Sequence, residues 1–136
     1  MFRKILDVFV AIYRWSDGKV MGRMAGLNIL LLTTTGRKTA KKRTTPLGYF
    51  EHDGNYVIIA SNGGADTHPA WYLNLINNSK VEIEIKDKKI TTIAKTAEPV
   101  LRKELWNKLV SLSPQYGQYA VSTEREIPII LLHPGS

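Results

Sequence analysis

Apolar residues recur at helical spacing from the start of the chain. Phe2, Ile5, Leu6, Phe9, Val10 and Tyr13 share a stripe, and Arg3, Lys4, Asp7 and Arg14 fall off it. This predicts an amphipathic helix, broken at Asp17-Gly18. From Leu27 the period changes. "NILLLTT" is a continuous apolar run ending in threonines, as expected of a strand covered on both faces. "RTTPLGYFE" and "YVIIAS" flank "HDGN", a hairpin signal. "NGGADTHPAWYLNLINN" reads as a glycine-rich loop entering a short helix, with Thr67 or His68 near its N-cap and Pro69 in its first turn. "KVEIEIK" alternates strictly, with Val81, Ile83 and Ile85 inward and Glu82 and Glu84 outward. "DK" turns it into "KITTIAKT". "EPVLRKELWNKLVSLS" sets Val100, Leu101, Leu105, Trp106, Leu109 and Leu112 on one helical face, and "REIPIILLHP" closes the chain as a strand.

The predicted order is helix, three strands, short helix, two strands, helix, strand. Hairpin links dominate it. The expected fold is therefore α+β, a mostly antiparallel sheet curled into a split β-barrel with flanking helices. A chain of 136 residues suits one domain, 1–136, with residues 1–21 as an N-terminal helix and turn packed on or beside the barrel.

Composition narrows the chemistry. There are no cysteines, which excludes disulfides, thiol catalysis and the common zinc patterns and leads to the expectation of a cytoplasmic protein. The longest apolar runs are too short to span a bilayer. The opening "MFRKILDVFVAIYRW" has a short apolar core with no small-residue cleavage site after it, so it reads as part of the mature protein. It also has the form of a basic amphipathic helix, which leaves peripheral contact with an anionic membrane open.

Net charge is +7, and five cations crowd the seven positions from Arg37 to Arg43 in "TTTGRKTAKKRTTP". Arg37, Lys38, Lys41, Lys42 and Arg43 stand between two apolar strands, with Gly36 and threonine hydroxyls adding donors without bulk. Such a turn calls for an anion: a polyanionic small molecule, a membrane surface or nucleic acid. It is no nucleotide P-loop, because a second glycine is missing and a strand follows. No recognised nucleic-acid motif accompanies the charge, and no nucleic-acid partner is expected.

His52, His68 and His133 are scattered without ligand spacing, so no metal site is expected. His68 reads as a capping residue. Ser61 lacks a nucleophile-elbow context. If the protein is an enzyme, a bound cofactor should carry the difficult step.

Three segments taken together, "LLLTTTGRKTAKKRTTPLGYF", "VIIASNGGADTHPAWYLNL" and "YGQYAVSTEREIPIILL", resemble the deazaflavin-dependent nitroreductase family, split β-barrel oxidoreductases that use coenzyme F-420. The resemblance runs in the expected order from about Gly22 to Pro134. It implies hydride transfer from reduced deazaflavin to an electron-poor acceptor such as a quinone, an enone or a nitro compound. It also supplies an anion, since F-420 ends in a phosphate and an oligoglutamate tail.

By that resemblance Arg37, Lys38, Arg43 and Thr45 would grip the tail, Lys41 and Lys42 would add field, and Pro46 would shape the exit from the turn. Ala60, Ser61, Asn62, Gly63 and Gly64 would bring backbone close to the ring, and Pro69, Ala70 and Trp71 would wall it. Tyr116 and Tyr119 would line the acceptor side. The family often has glycine and uncharged residues where this chain has Ala40, Lys41 and Lys42, often lysine in place of Asn62, and sometimes a bulkier residue in place of Gly48. Two alternatives stay open: a split barrel holding flavin mononucleotide, haem or another anionic cofactor, and a non-enzymatic basic module binding nucleic acid or acidic membrane.

Overall fold

Strands joined by tight turns close into a ring in the computed structural model, which describes residues 2–19, 22–24 and 26–135. The strands are β1 (Arg23–Met24), β2 (Leu27–Thr35), β3 (Lys42–His52), β4 (Asn55–Ile59), β5 (Lys80–Ile85), β6 (Lys88–Thr96) and β7 (Ile129–Pro134). The helices are α1 (Phe2–Trp15), α2 (Ala70–Asn77), α3 (Pro99–Leu112) and α4 (Gln115–Ser122), with a 3-10 turn at Asn62–Gly64. Strand order is β1-β2-β3-β4-β7-β6-β5, and β2 also pairs with β5. That pairing, Leu31 to Glu84 through Thr33 to Glu82, closes β2 to β7 into an antiparallel barrel. The fold is the expected α+β split barrel. Val20 and Met21, at the end of the expected N-terminal unit, lie outside the described residues.

Alternation sorts the side chains into layers. Leu30 and Leu32 of β2 point into the barrel with Ile58, Val81, Ile83, Ile130 and Leu132. On the outer face, Ile29 and Leu31 meet Val10 and Tyr13 of α1. Val57, Ile59, Ile129 and Leu131 pack outward against Leu105 and Leu109 of α3. β2 is thus covered on both faces, which explains its unbroken apolar run. At the β3–β4 turn, Asp53 and Gly54 both take positive φ, 48° and 78°, as a tight hairpin of right-handed twist requires.

α1 is fixed at its C-terminal end. The buried Tyr13 hydroxyl donates to Ile29 O at 2.9 Å and accepts from Lys86 N–H at 2.9 Å. Arg14 donates from Nε and NH2 to the two Glu84 oxygens, at 3.1 and 2.7 Å. Glu84 does point outward, as its alternation requires, but α1 covers it and it is buried.

Several local expectations change. In α3, Val100 is exposed because the 100° helical step sets it well round the helix from Leu105 and Leu109, and Leu112, on their face but at the last position of the helix, is exposed as well. The N-cap of α2 is Pro69 itself, and no side chain caps it. α4 has no counterpart in the predicted order. Its sequence QYGQYAVS contains a glycine and buries no residue, so it carries no apolar period to read.

One feature of the ladder positions the site. β3 pairs with β2 from Lys42 to Tyr49, but with β4 only from Tyr49 to His52. From Lys42 to Gly48 its other edge has no strand partner among the described residues. Pro46 lies in that stretch, where a residue without an N–H costs no ladder bond.

Candidate active site

The β2–β3 hairpin tip is a closed turn. Gly36 N–H donates to Lys41 O and Ala40 N–H donates to Gly36 O, both at 2.8 Å, with Ala40 held at φ 60°. Alternation then divides the cations. Lys42 lies on the face of its partner Thr35, donating to its Oγ1 at 3.0 Å, and the Thr33 and Thr44 hydroxyls meet on that face at 2.8 Å. Arg43 and Thr45 take the opposite face. With Arg37 and Lys38 they line a cleft of about 330 Å³ that Trp71 and Asn74 of α2 close from the other side. Lys41 and Lys42 do not line it.

Asn74 gives the cleft its order. It is buried, and its Oδ1 accepts from the backbone N–H of Arg37 at 3.1 Å and from the Arg37 guanidinium at 3.0 Å. Its Nδ2 donates to Thr34 Oγ1 at 3.3 Å. One amide thus ties the tip to α2 and aims Arg37.

A second cavity of about 630 Å³ adjoins the first along Thr45, Ala70 and Trp71, which line both. Pro46, Leu47 and Gly48 form its floor along the open edge of β3. Ser61, Asn62, Gly63, His68 and Pro69 form one wall, and Tyr116 with Leu6 of α1 the others. The two cavities make one groove, cationic at one end and mostly apolar at the other. No aspartate or glutamate lines either part among the described residues. A separate cavity of about 360 Å³ beside Tyr13 and Tyr49 is lined by charges of both signs, Glu51 and Asp87 with Lys86 and Lys88, and so lacks the one-signed field of the cleft at Arg37. Burial, with Glu51 second, pushes the Tyr49 phenol there up to about 12.

The loop wall has unusual backbone. Ser61 is right-handed at φ −74°, and Asn62, Gly63 and Gly64 follow at φ 49°, 64° and 84°. A right-handed residue followed by left-handed ones turns successive N–H groups toward one side, a concavity suited to electronegative atoms. At Gly63 a Cβ would meet nothing within 4 Å, so that backbone is open to the groove. Gly64 is different: a Cβ there would run into Ser122 Oγ, and its carbonyl accepts from that hydroxyl at 3.0 Å. Gly64 is a close approach of loop to α4. Ala60 is fully buried, below the groove rather than in its lining.

The loop is pinned by Arg125, in the segment between α4 and β7. Its guanidinium donates to Ala65 O and Ser61 O, both at 2.8 Å, and to Ala60 O at 3.2 Å, and it reaches His68 Nδ1 at 3.1 Å. His68 does not cap α2 but lines the groove. Burial lowers its pKa, and the Arg125 charge lowers it further.

The two tyrosines separate. Tyr116 lines the groove, and burial, then Tyr119, raises its phenol pKa. Tyr119 packs edge-on against it at 5.2 Å, accepts from Gln115 Nε2 at 2.8 Å, and backs the loop at Gly64. Gly48 is a close approach as well: a Cβ there would lie 2.9 Å from Leu27 Cδ1 and 3.6 Å from the Tyr116 hydroxyl. Of the residues singled out from sequence, the structure gathers Arg37, Lys38, Arg43, Thr45, Pro46, Ser61, Asn62, Gly63, Pro69, Ala70, Trp71 and Tyr116 on the groove. Ala60, Gly64 and Tyr119 stand behind it. Asn74, His68 and Arg125 join it through contacts that no local spacing signals.

A groove cationic at one end and mostly apolar at the other suits a long ligand with an anionic tail. Residues 5–134 match the family described as F420H(2)-dependent quinone reductase, and the chain belongs to that family. It is 37% identical over 133 residues to the F420H(2)-dependent quinone reductase Rv1261c of Mycobacterium tuberculosis (strain ATCC 25618 / H37Rv), covering 95% of this chain and 89% of the relative. A solved F420-H2 dependent reductase (FDR-A) superposes with a TM-score of 0.70 at 38% identity, covering 77% of this chain and 93% of that one. Another solved structure, described as a domain-swapped dimer, gives 0.74 at 33% identity over 97% and 98% of the two chains. This chain is thus an F-420-dependent reductase, with coenzyme F-420 as its cofactor and a small organic molecule as its acceptor. The non-enzymatic reading falls away, and flavin mononucleotide finds no support. Among the described residues, no helix is long and apolar enough to cross a membrane.

Proposed function

We propose that this protein reduces a quinone with F-420, gripping the tail in the cationic cleft and stacking the head and acceptor in the apolar part of the groove. The observation that carries the reading is the pair of adjoining cavities, one basic around Arg37, Lys38 and Arg43 and lined by no acid among the described residues, the other mostly apolar around Pro69, Trp71 and Tyr116. The residues fit the cofactor: paired guanidinium donors suit phosphate and carboxylate, and lysine adds a mobile charge. When bound, reduced F-420 supplies the hydride.

The chain's own work is placement. Thr45 and Trp71, shared by both parts, set where charge recognition ends and ring recognition begins. The open N–H groups of the 61–63 turn would face the carbonyl edge of the ring, as their backbone conformation suits. Trp71 and Pro69 would present a flat wall and keep water from the reacting face. Tyr116 keeps its proton at neutral pH, because burial raises its phenol, and can donate a hydrogen bond to the acceptor. Conversion of quinone to hydroquinone takes that hydride and one proton, which solvent can supply.

The N-terminal helix supports a finer statement about where the quinone is met. Ile5, Val8 and Trp15 are 61, 58 and 83% exposed and recur along one side of α1, opposite the anchored Val10 and Tyr13, while Leu6 reaches the groove. A basic chain with such a stripe suits an anionic lipid surface, from which a lipophilic quinone could enter.

The test is anaerobic oxidation of reduced F-420 by the purified protein with a soluble naphthoquinone. Saturable turnover, with tight and salt-sensitive binding of F-420, is expected. Binding without quinone-dependent oxidation would overturn the acceptor assignment. Co-sedimentation with anionic but not neutral vesicles, lost in Trp15→Gln, tests the surface contact.

A further inference from the structure

We propose that Arg125 is the positioning residue of the loop wall and that His68, which it holds, donates a hydrogen bond through Nε2–H to the acceptor oxygen that gains negative charge during reduction. The inference rests on the quinone-reductase reading above and adds an oxyanion donor to it.

Three geometric facts lead there. First, a guanidinium has five N–H donors and no acceptor, so the 3.1 Å contact between Arg125 and His68 requires Nδ1 to accept. A neutral imidazole that accepts at Nδ1 carries its proton on Nε2. Second, His68 lines the groove with Ser61 and Pro69, and the Tyr72 ring packs on its imidazole with centroids 5.0 Å apart. Third, the same guanidinium holds the carbonyls of Ala60, Ser61 and Ala65, so the donor and the turn facing the ring move as one unit.

The charges around the ring favour the neutral form. Arg125 faces it from the α4–β7 segment. Asp66 is turned aside, accepting from Thr123 Oγ1 at 2.9 Å, and Tyr72 packs from α2. Burial acts in the same direction as Arg125. A neutral imidazole is a poor acid, so His68 keeps its proton throughout and acts as a fixed dipole on developing charge, which needs no reorganisation during the reaction. Tyr116 is a second donor across the groove.

Two measurements decide it. In the protein without cofactor, ring-nitrogen NMR should show His68 neutral with the proton on Nε2 at pH 7, and a mixed tautomer in Arg125→Gln. In turnover, His68→Phe keeps the ring packing on Tyr72 and removes the donor. It should lower kcat on the order of tenfold to a hundredfold, with F-420 affinity within about twofold of wild type. His68→Gln places an amide N–H near the Nε2 position and should restore most of the rate. An Nδ1–H tautomer, or a His68→Phe enzyme with unchanged kcat, overturns the proposal while leaving the enzyme a quinone reductase. A wild-type protein that binds F-420 but does not reduce quinone overturns the function itself, and this donor role with it.

Discussion

Arg37 reaches the cationic cleft with its backbone and its guanidinium tied to a single atom, Oδ1 of Asn74. The hairpin tip therefore does not wave freely above α2. Asn74→Ala should cost about 1–3 kcal/mol, since it removes the part-buried bonds to Arg37 and leaves the buried Thr34 hydroxyl without its amide partner, and should loosen the tip. F-420 affinity should fall even though Asn74 carries no charge. Thermal melting and cofactor titration, run on the same variant, check both effects.

Charge at the tip should matter by face. Replacing Arg37, Lys38 or Arg43 with glutamine should weaken F-420 binding about tenfold each and flatten its salt dependence, as loss of a charge-assisted contact implies. Lys42→Gln, on the opposite face beside Thr35, should change affinity by less than about twofold. Equal losses at Arg43 and Lys42 would mean that only net charge is read.

Gly48→Val pushes a branched side chain into Leu27 and toward the Tyr116 hydroxyl. The expected cost is about 1–3 kcal/mol of stability from overpacking. The Michaelis constant for a bulky quinone should rise more than that for a small one. Calorimetry and a two-substrate comparison would show it.

Ala40 carries a Cβ at φ 60°, where glycine is at ease. Ala40→Gly should raise stability by about 0.5–1 kcal/mol, with F-420 affinity little changed. A lower melting temperature would show that the added freedom of the unfolded chain outweighs the relief.

His68 predicts a pH response whose sign follows from its lowered pKa. The unfolded histidine takes up a proton near its ordinary value of about 6.5, whereas the folded one resists until lower pH. Its contribution to stability is thus fully present above about pH 6.5 and is lost as pH falls through that value toward the folded pKa. Urea unfolding from pH 8 to 5 should show a steeper decline for wild type than for His68→Phe.

How much of this could be read beforehand depended on range. β2, β3, β4 and the β5–β6 hairpin announce themselves by alternation and by turn residues such as Asp53-Gly54, because those signals are local. α4 does not, since QYGQYAVS has neither caps nor an apolar period and is held by packing on the Asn62–Gly64 turn. In the groove, Arg37, Arg43 and Trp71 stand out by type and crowding. Asn74 looks like any polar residue on a short helix until Arg37, 37 positions away, is placed beside it. Arg125 looks like one more surface charge, and His68 like a cap, until the fold brings them together across 57 positions. Networks closed by tertiary contact leave no mark on spacing.

The hairpin that bears the cations also bears the floor of the aromatic end, and this makes β3 a measuring rod. Arg43, Thr45 and Leu47 lie on one face at intervals of about 6.8 Å, a length set by peptide geometry and indifferent to charge. Inserting two residues between Arg43 and Leu47 would carry the anion clamp one notch farther from the ring seat, and inserting one would turn it to the wrong side. Which coenzymes of this shape fit is then a question of ruler marks as much as of attraction.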